Sequence, residues 1–150
     1  MKQQPVKFTF CTRAEAQACR ALVKGIVQVV SQWIVRQQLL DDLDLLLTEA
    51  CANAVRHAYP PDSLGCVEIA VKLLPGKAVV CSISDWGEGF RQCPLDLQKP
   101  IPLCPPEAES GRGLYIISNL VDKFAILQKD NKNTLRVTIN LGSEAWAASA

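Results

Sequence analysis

Apolar positions along the chain recur with two different periods, and each change of period marks an element. Leu22, Ile26, Val29, Val30, Trp33 and Ile34 return at helical spacing, which predicts one long amphipathic helix from about Ala14 to Gln38, ending near Leu40. A second helix is predicted from a cap at Asp41 or Asp42 to about Ala58. Tyr59-Pro60-Pro61 stops it there, because a residue before proline avoids the helical region. Val6 to Cys11 reads as a short first strand, and Cys66 to Leu74 and Ala78 to Ser84 alternate around a Pro75-Gly76 turn as a hairpin. Gly113 to Val121 returns to helical spacing. Phe124 to Lys129 and Thr134 to Leu141 predict a last hairpin turning at Asp130 to Asn133, and beyond Gly142 the tail has no readable pattern.

The order βααββ-loop-αββ sets antiparallel hairpins beside helices, which implies an α+β layered sandwich. Between Trp86 and Ser110 no period is sustained, and Pro94, Pro100, Pro102, Pro105 and Pro106 exclude an ordinary helix or central strand over most of the segment. A loop of that length is usually functional or disordered.

Composition narrows the function classes. A length of 150 residues with 49% apolar content suits a single domain with one core. Sixteen basic against fifteen acidic side chains leave a formal charge of +1, without the Lys/Arg block that phosphate-backbone binding needs, so direct nucleic-acid binding is not expected. No apolar run has the length of a signal peptide or a membrane span, and the expected location is the cytoplasm, away from membranes. The seven cysteines are an odd set without a close C-x-x-C pair. They are expected to be free thiols, mostly buried, with Cys93 and Cys104 exposed in the Pro-rich segment. Together with His57 they match no zinc pattern.

Three segments carry candidate chemistry. On the second predicted helix, Glu49, Asn53 and His57 are spaced i, i+4, i+8 beside the apolar face of Leu43, Leu47, Ala50 and Ala54. A carboxamide there can ligate Mg²⁺ and a partly desolvated carboxylate can take a proton; the same stripe is also read as a solvated polar face. Asp85-Trp86-Gly87-Glu88-Gly89 follows a strand, placing a carboxylate that can accept from an exocyclic amine beside glycines that let backbone approach a ligand; alone, it reads better as an ordinary turn. Gly111-Arg112-Gly113-Leu114 opens the third helix, where free N–H groups and the positive dipole end favour phosphate, or where a glycine-rich linker simply starts a helix. Neither the G-x-x-x-x-G-K-[ST] loop nor a G-x-G-x-x-G after a strand is present.

Taken together and in this order, Glu49-Ala-Cys-Ala-Asn53-Ala-Val-Arg-His57-Ala, Asp85-Trp-Gly87-Glu-Gly89 and Ser110-Gly111-Arg112-Gly113-Leu114 resemble the N, G1 and G2 boxes of the gyrase, chaperone, histidine-kinase and mismatch-repair ATPase superfamily. Their short spacing over about residues 5 to 141 is most similar to the stand-alone anti-sigma-factor serine kinases. The resemblance implies a two-layer α/β sandwich of the Bergerat type, with a mixed, mainly antiparallel sheet and helices on one face. It implies ATP and Mg²⁺ as cofactors, with Asn53 holding Mg²⁺ against the phosphates and Glu49 acting as base toward an acceptor serine. Asp85 would bind the adenine amine, Gly87 and Gly89 would hinge a lid over about 86–110, and Gly111, Arg112 and Gly113, followed by Leu114, would close on the phosphates. His57 belongs to the same ATP box. Thr134 stands where the family usually has a Gly-Thr pair contacting adenine, although Asn133 precedes it here. Arg20 loosely resembles an arginine with which these kinases grip partners, and is equally read as a solvated helix arginine.

The partners implied are a small anti-anti-sigma protein of the STAS type, a sigma factor, and a second copy of the chain. Two functional readings follow: a serine kinase, or a nucleotide-sensing binding module that uses the same pocket without transferring phosphate. Glu49 favours the kinase, since a sensor needs the Mg²⁺ ligand and not the base. A histidine-kinase catalytic domain is disfavoured because no helix pair carries a phosphoacceptor histidine; His57 is the only histidine.

Overall fold

The computed structural model describes residues 3–60, 63–88 and 112–148. Strands β1 (Val6–Arg13), β2 (Cys66–Leu74), β3 (Ala78–Asp85), β4 (Lys123–Lys129) and β5 (Lys132–Asn140) form one sheet in the order β1-β2-β3-β5-β4. Every neighbouring pair is antiparallel, so among the described residues the sheet has no parallel pairing. Alternation along the strands turns Val67, Ile69, Val71, Leu73, Val79, Cys81, Ile83, Leu135, Val137 and Ile139 to one face, where all are buried. Helices α1 (Ala16–Val30), α2 (Gln37–Asn53) and α3 (Arg112–Leu120) supply the other side of this core through Val23, Ile26, Leu43, Leu46, Leu47 and Ile117. The α+β sandwich is as the element order predicts.

The last hairpin is tighter than its sequence suggests. Asp130 and Asn131 both adopt positive φ, 51° and 63°, the pair of left-handed residues that a two-residue primed turn requires and that Asp and Asn tolerate better than most side chains. Lys132 and Asn133 are thereby drawn into β5, with consequences for the site.

The first helix is shorter than its apolar period. It ends at Val30, and α2 begins at Gln37, so Asp41 and Asp42 lie inside α2 and accept side-chain hydrogen bonds from Gln37 and Gln38 at 2.8 and 2.9 Å instead of capping it. The break follows from the tail. Ile34 bridges Trp146, the Val35 N–H donates to Ala145 O at 3.0 Å, and the Ala147 N–H donates to Trp33 O at 2.7 Å. Trp33 and Ile34 still pack on the core, and their N–H groups bond Val30 O at the end of α1, but the chain then turns to pair with the tail and the helix does not continue. The segment past Gly142 is therefore core material, with Ala145 and Trp146 buried beside Leu141. Trp146→Ala should lower the unfolding free energy by about 3 kcal/mol. Trp146→Phe, which discards a buried indole N–H that has no acceptor, should cost little. Urea denaturation measures both, and a wild-type midpoint for Trp146→Ala would remove the tail from the core.

Cys19, Cys51 and Cys81 are buried free thiols and Cys66 is half-buried. Burial pushes the Cys81 thiol up to about 12, which leaves it unreactive at neutral pH. Cys11 is exposed on the edge strand, where only Cys93 and Cys104 were expected to be; those two lie outside the described residues. No described helix is long and apolar enough to cross a membrane.

Candidate functional site

Along α2 the buried face runs through Leu40, Leu43, Leu47 and Ala50, and the half-buried Glu49 and Asn53 lie beside it, one turn apart. After Asn53 the helix widens into a π-helical turn, Ala54–Ala58. Its i→i+5 bonding changes the phase of the stripe. The His57 side chain consequently is exposed and makes no hydrogen bond to a described residue, while Glu49 and Asn53 remain at the edge of the core.

The π turn delivers the Ala58 carbonyl to the loop after β3. That oxygen accepts the Glu88 N–H at 2.9 Å, and Gly87 is so close that a Cβ on it would collide with the Ala58 backbone. Glycine is required here by contact alone. Tyr59 adds a second tie, its hydroxyl donating to Cys66 O at 2.7 Å and accepting from the Trp86 N–H at 2.9 Å. The end of the helix and the end of β3 are thus held as one piece.

Asp85, 4% exposed at the last position of β3, is fixed from two sides. Its Oδ1 accepts from the Gly87 N–H at 3.0 Å and from Asn133 Nδ2 at 2.9 Å, and the same Nδ2 donates to Gly87 O at 2.7 Å. Among the described residues Oδ2 accepts no hydrogen bond. The partner of Asp85 follows from register: Asp85 faces Asn133, and Ser84 faces Thr134. Neighbours in a strand point to opposite faces, so Thr134 lies on the side of the sheet away from the helices, its hydroxyl 2.8 Å from Ser84 Oγ. There it lines an outer groove of about 650 Å³ with Trp86, Leu127, Lys129 and Arg136. Asn133, expected in the turn, is the β5 residue that reaches Asp85. The signal was present in Asp130-Asn131, a turn pair short enough to let Asn133 alternate in phase with Leu135, Val137 and Ile139.

On the opposite side, α3 presses its first turn onto α2. A Cβ on Gly113 would stand 3.1 Å from Asn53 Oδ1, 3.2 Å from Asn53 Nδ2 and 3.2 Å from Glu49 Oε2. Gly113 therefore brings the helix start against both polar side chains of α2. Ile117 and the half-buried Leu114 anchor α3 to the core. Gly89, Gly111 and the expected lid beyond Glu88 lie outside the described residues, as does the side chain of Arg112. Arg20 is engaged within the chain, its guanidinium donating to Asp44 Oδ1 at 2.6 Å and Thr48 Oγ1 at 2.9 Å.

A carboxylate acceptor therefore stands near Ala58, and an amide, a second carboxylate and a helix N-terminus stand near Glu49, about 13 Å back along the helix axis at 1.5 Å per residue. That polarity suits a ligand with an amine at one end and a polyanion at the other. Antiparallel sheet, helix-borne amide and glycine-led facing helix together define a histidine kinase-like ATPase domain. The sequence profile of that family matches residues 12–139, and the chain belongs to it. Within the family it is similar to the serine-protein kinases RsbW of Bacillus thuringiensis and Bacillus anthracis, at 30% identity over 103 residues, 64% of this chain and 61% of theirs. The chain thus spans about three fifths of the length of these curated relatives. Among solved structures it is similar to the RsbU and RsbW domains of Rv1364c from Mycobacterium tuberculosis, with a TM-score of 0.56 and 20% identity over 91% of this chain and 32% of that one. The histidine kinase domain of a blue-light-activated kinase from Erythrobacter litoralis gives a TM-score of 0.50 and 16% identity over 82% and 61%. These two likenesses concern the fold.

Proposed function

We propose that the chain is an ATP-dependent protein-serine kinase that phosphorylates a small anti-anti-sigma protein and acts in partner switching as an anti-sigma factor. The observation that carries this reading is the convergence of Glu49 and Asn53 on Gly113 at the start of α3. A base and a metal-ligating amide meet there, beside a helix N-terminus suited to phosphate. The serine-protein kinase name of the sequence relatives supports the same reading.

The residues fit a nucleotide-bound Mg²⁺. Among the described residues no cluster of three or more His, Cys, Asp or Glu side chains could hold an ion alone. Mg²⁺ commonly takes one or two protein oxygens and completes its shell with phosphates and water; Asn53 Oδ1 would be that protein oxygen. Bound Mg-ATP supplies the transferable phosphoryl group. Asp85 Oδ2 holds the base amine, the first N–H groups of α3 hold the phosphate end, and Glu49 orients and deprotonates the acceptor hydroxyl. The test is transfer. Incubating the protein with γ-labelled Mg-ATP and proteins captured from its own cell extract should label a serine on a small protein. ATP binding without any labelled acceptor would replace the kinase by a nucleotide-sensing module.

A further inference from the structure

Asn133 is 1% exposed, and its amide is half used. Both hydrogens of Nδ2 are committed, one to Asp85 Oδ1 and one to Gly87 O. Oδ1 is buried and has no partner. Rotating the amide does not relieve this, because the oxygen would then face a carboxylate and a carbonyl, two acceptors, and both present bonds would be lost. The orientation is therefore fixed by chemistry, and the orphan is an acceptor. A buried unpaired acceptor is costly and native structures contain few of them; what it lacks is a donor.

The orphan belongs to the same amide that holds Asp85, on the core-facing side of the sheet and in direct register with it. Asn133 thus has no donor left to offer, its two amide hydrogens being spent on Asp85 and Gly87, and holds Asp85 as an acceptor. An exocyclic amine carries two N–H donors. We propose that Asn133 is a specificity-determining residue of the base pocket, which selects a 6-amino purine over a 6-oxo purine by fixing Asp85 as the acceptor for the ligand amine and by having no donor left for a 6-oxo group. The proposal rests on the ATP-binding reading above. A 6-oxo base would set its carbonyl against the Asp85 carboxylate, with no hydrogen to share.

The test compares ATP with ITP, which differ at that substituent and on ring N1, by calorimetric titration of the full chain in Mg²⁺. Wild type should bind ATP well over tenfold more tightly than ITP. Asn133→Leu, close in shape and without polar ends, should shrink the ATP-to-ITP ratio by roughly three- to tenfold or more. Asn133→Thr, which keeps a hydroxyl but is too short to span Asp85 and Gly87, covers the case in which Asn133→Leu fails to fold, and should shrink the ratio in the same direction. A residue needed only for folding would lower the melting temperature and leave the ratio unchanged. A folded variant whose ratio stays within twofold of wild type overturns the proposal, as does a wild type that does not discriminate. A wild type that binds no ATP removes the functional reading itself, and this proposal with it.

Discussion

Asp85→Asn should lower ATP affinity well over tenfold, on the order of 2 kcal/mol or more, while leaving the fold intact. The size of the effect comes from the way the carboxylate is held. Oδ1 faces two donors, the Gly87 N–H and Asn133 Nδ2. In the asparagine variant the amide oxygen must keep that position, since an NH₂ there would oppose both donors. Its nitrogen is therefore forced to the position of Oδ2, where the ligand amine would approach. A charge-assisted bond becomes donor against donor, in a pocket where water cannot substitute freely. The internal hydrogen bonds survive, so the melting temperature should move by only a few degrees. Calorimetry gives the affinity and thermal unfolding checks the fold; a folded variant with unchanged ATP affinity would detach Asp85 from base recognition.

How far the site is legible in the sequence depends on whether its geometry is local. The i, i+4 pair Glu49 and Asn53 is a property of one helix, and it stands at the core edge as the spacing requires. The position of Asp85 at a strand end is equally local, because β2 and β3 turn at Pro75-Gly76 with Gly76 at a φ of 73°. His57 departs from the stripe because a π turn begins one residue after Asn53, and hydrophobic spacing cannot report an i→i+5 bond. Long-range pairing is where the reading fails. Trp33 and Ile34 carry a helical period and nonetheless bond the tail, since the decision rests with Ala145 to Ala147, more than a hundred residues away.

The same limit governs the partner of Asp85. A one-residue change of register in a strand exchanges the two faces, so the choice between Asn133 and Thr134 turned on the length of the Asp130-Asn131 connection. The family resemblance pointed to the threonine and the sequence placed Asn133 in the turn, whereas the observed register puts Asn133 in phase with Leu135 and Val137. Burial follows phase: Asn133 is buried on the core side, and Thr134 is half-exposed on the other. The glycines divide similarly. Gly87 and Gly113 owe their identity to contacts with Ala58 and with the Glu49–Asn53 pair, contacts that only the assembled fold reveals.

Glu49 and Asn53 touch the same glycine but should fail in different ways when replaced. Phosphoryl transfer depends on positioning and on stabilising charge in the transition state, so a group acting only on the acceptor hydroxyl contributes little to holding ATP. Glu49→Gln keeps the shape beneath Gly113 and removes only the basicity of the carboxylate. Mg-ATP affinity should stay within a few-fold of wild type while transfer to the acceptor serine falls by roughly 10²-fold or more, the usual scale for loss of a general base. Asn53→Ala removes the amide oxygen proposed to ligate Mg²⁺ and opens a gap beside Gly113, where a Cβ would stand 3.1 Å from Asn53 Oδ1. Metal-dependent binding and transfer should then fall together. Single-turnover transfer measured beside calorimetric affinity separates the two patterns. If Glu49→Gln transferred phosphate at the wild-type rate, the base would have to be another group; if Asn53→Ala bound Mg-ATP as tightly as wild type, the metal would be held elsewhere and the convergence on Gly113 would be packing alone.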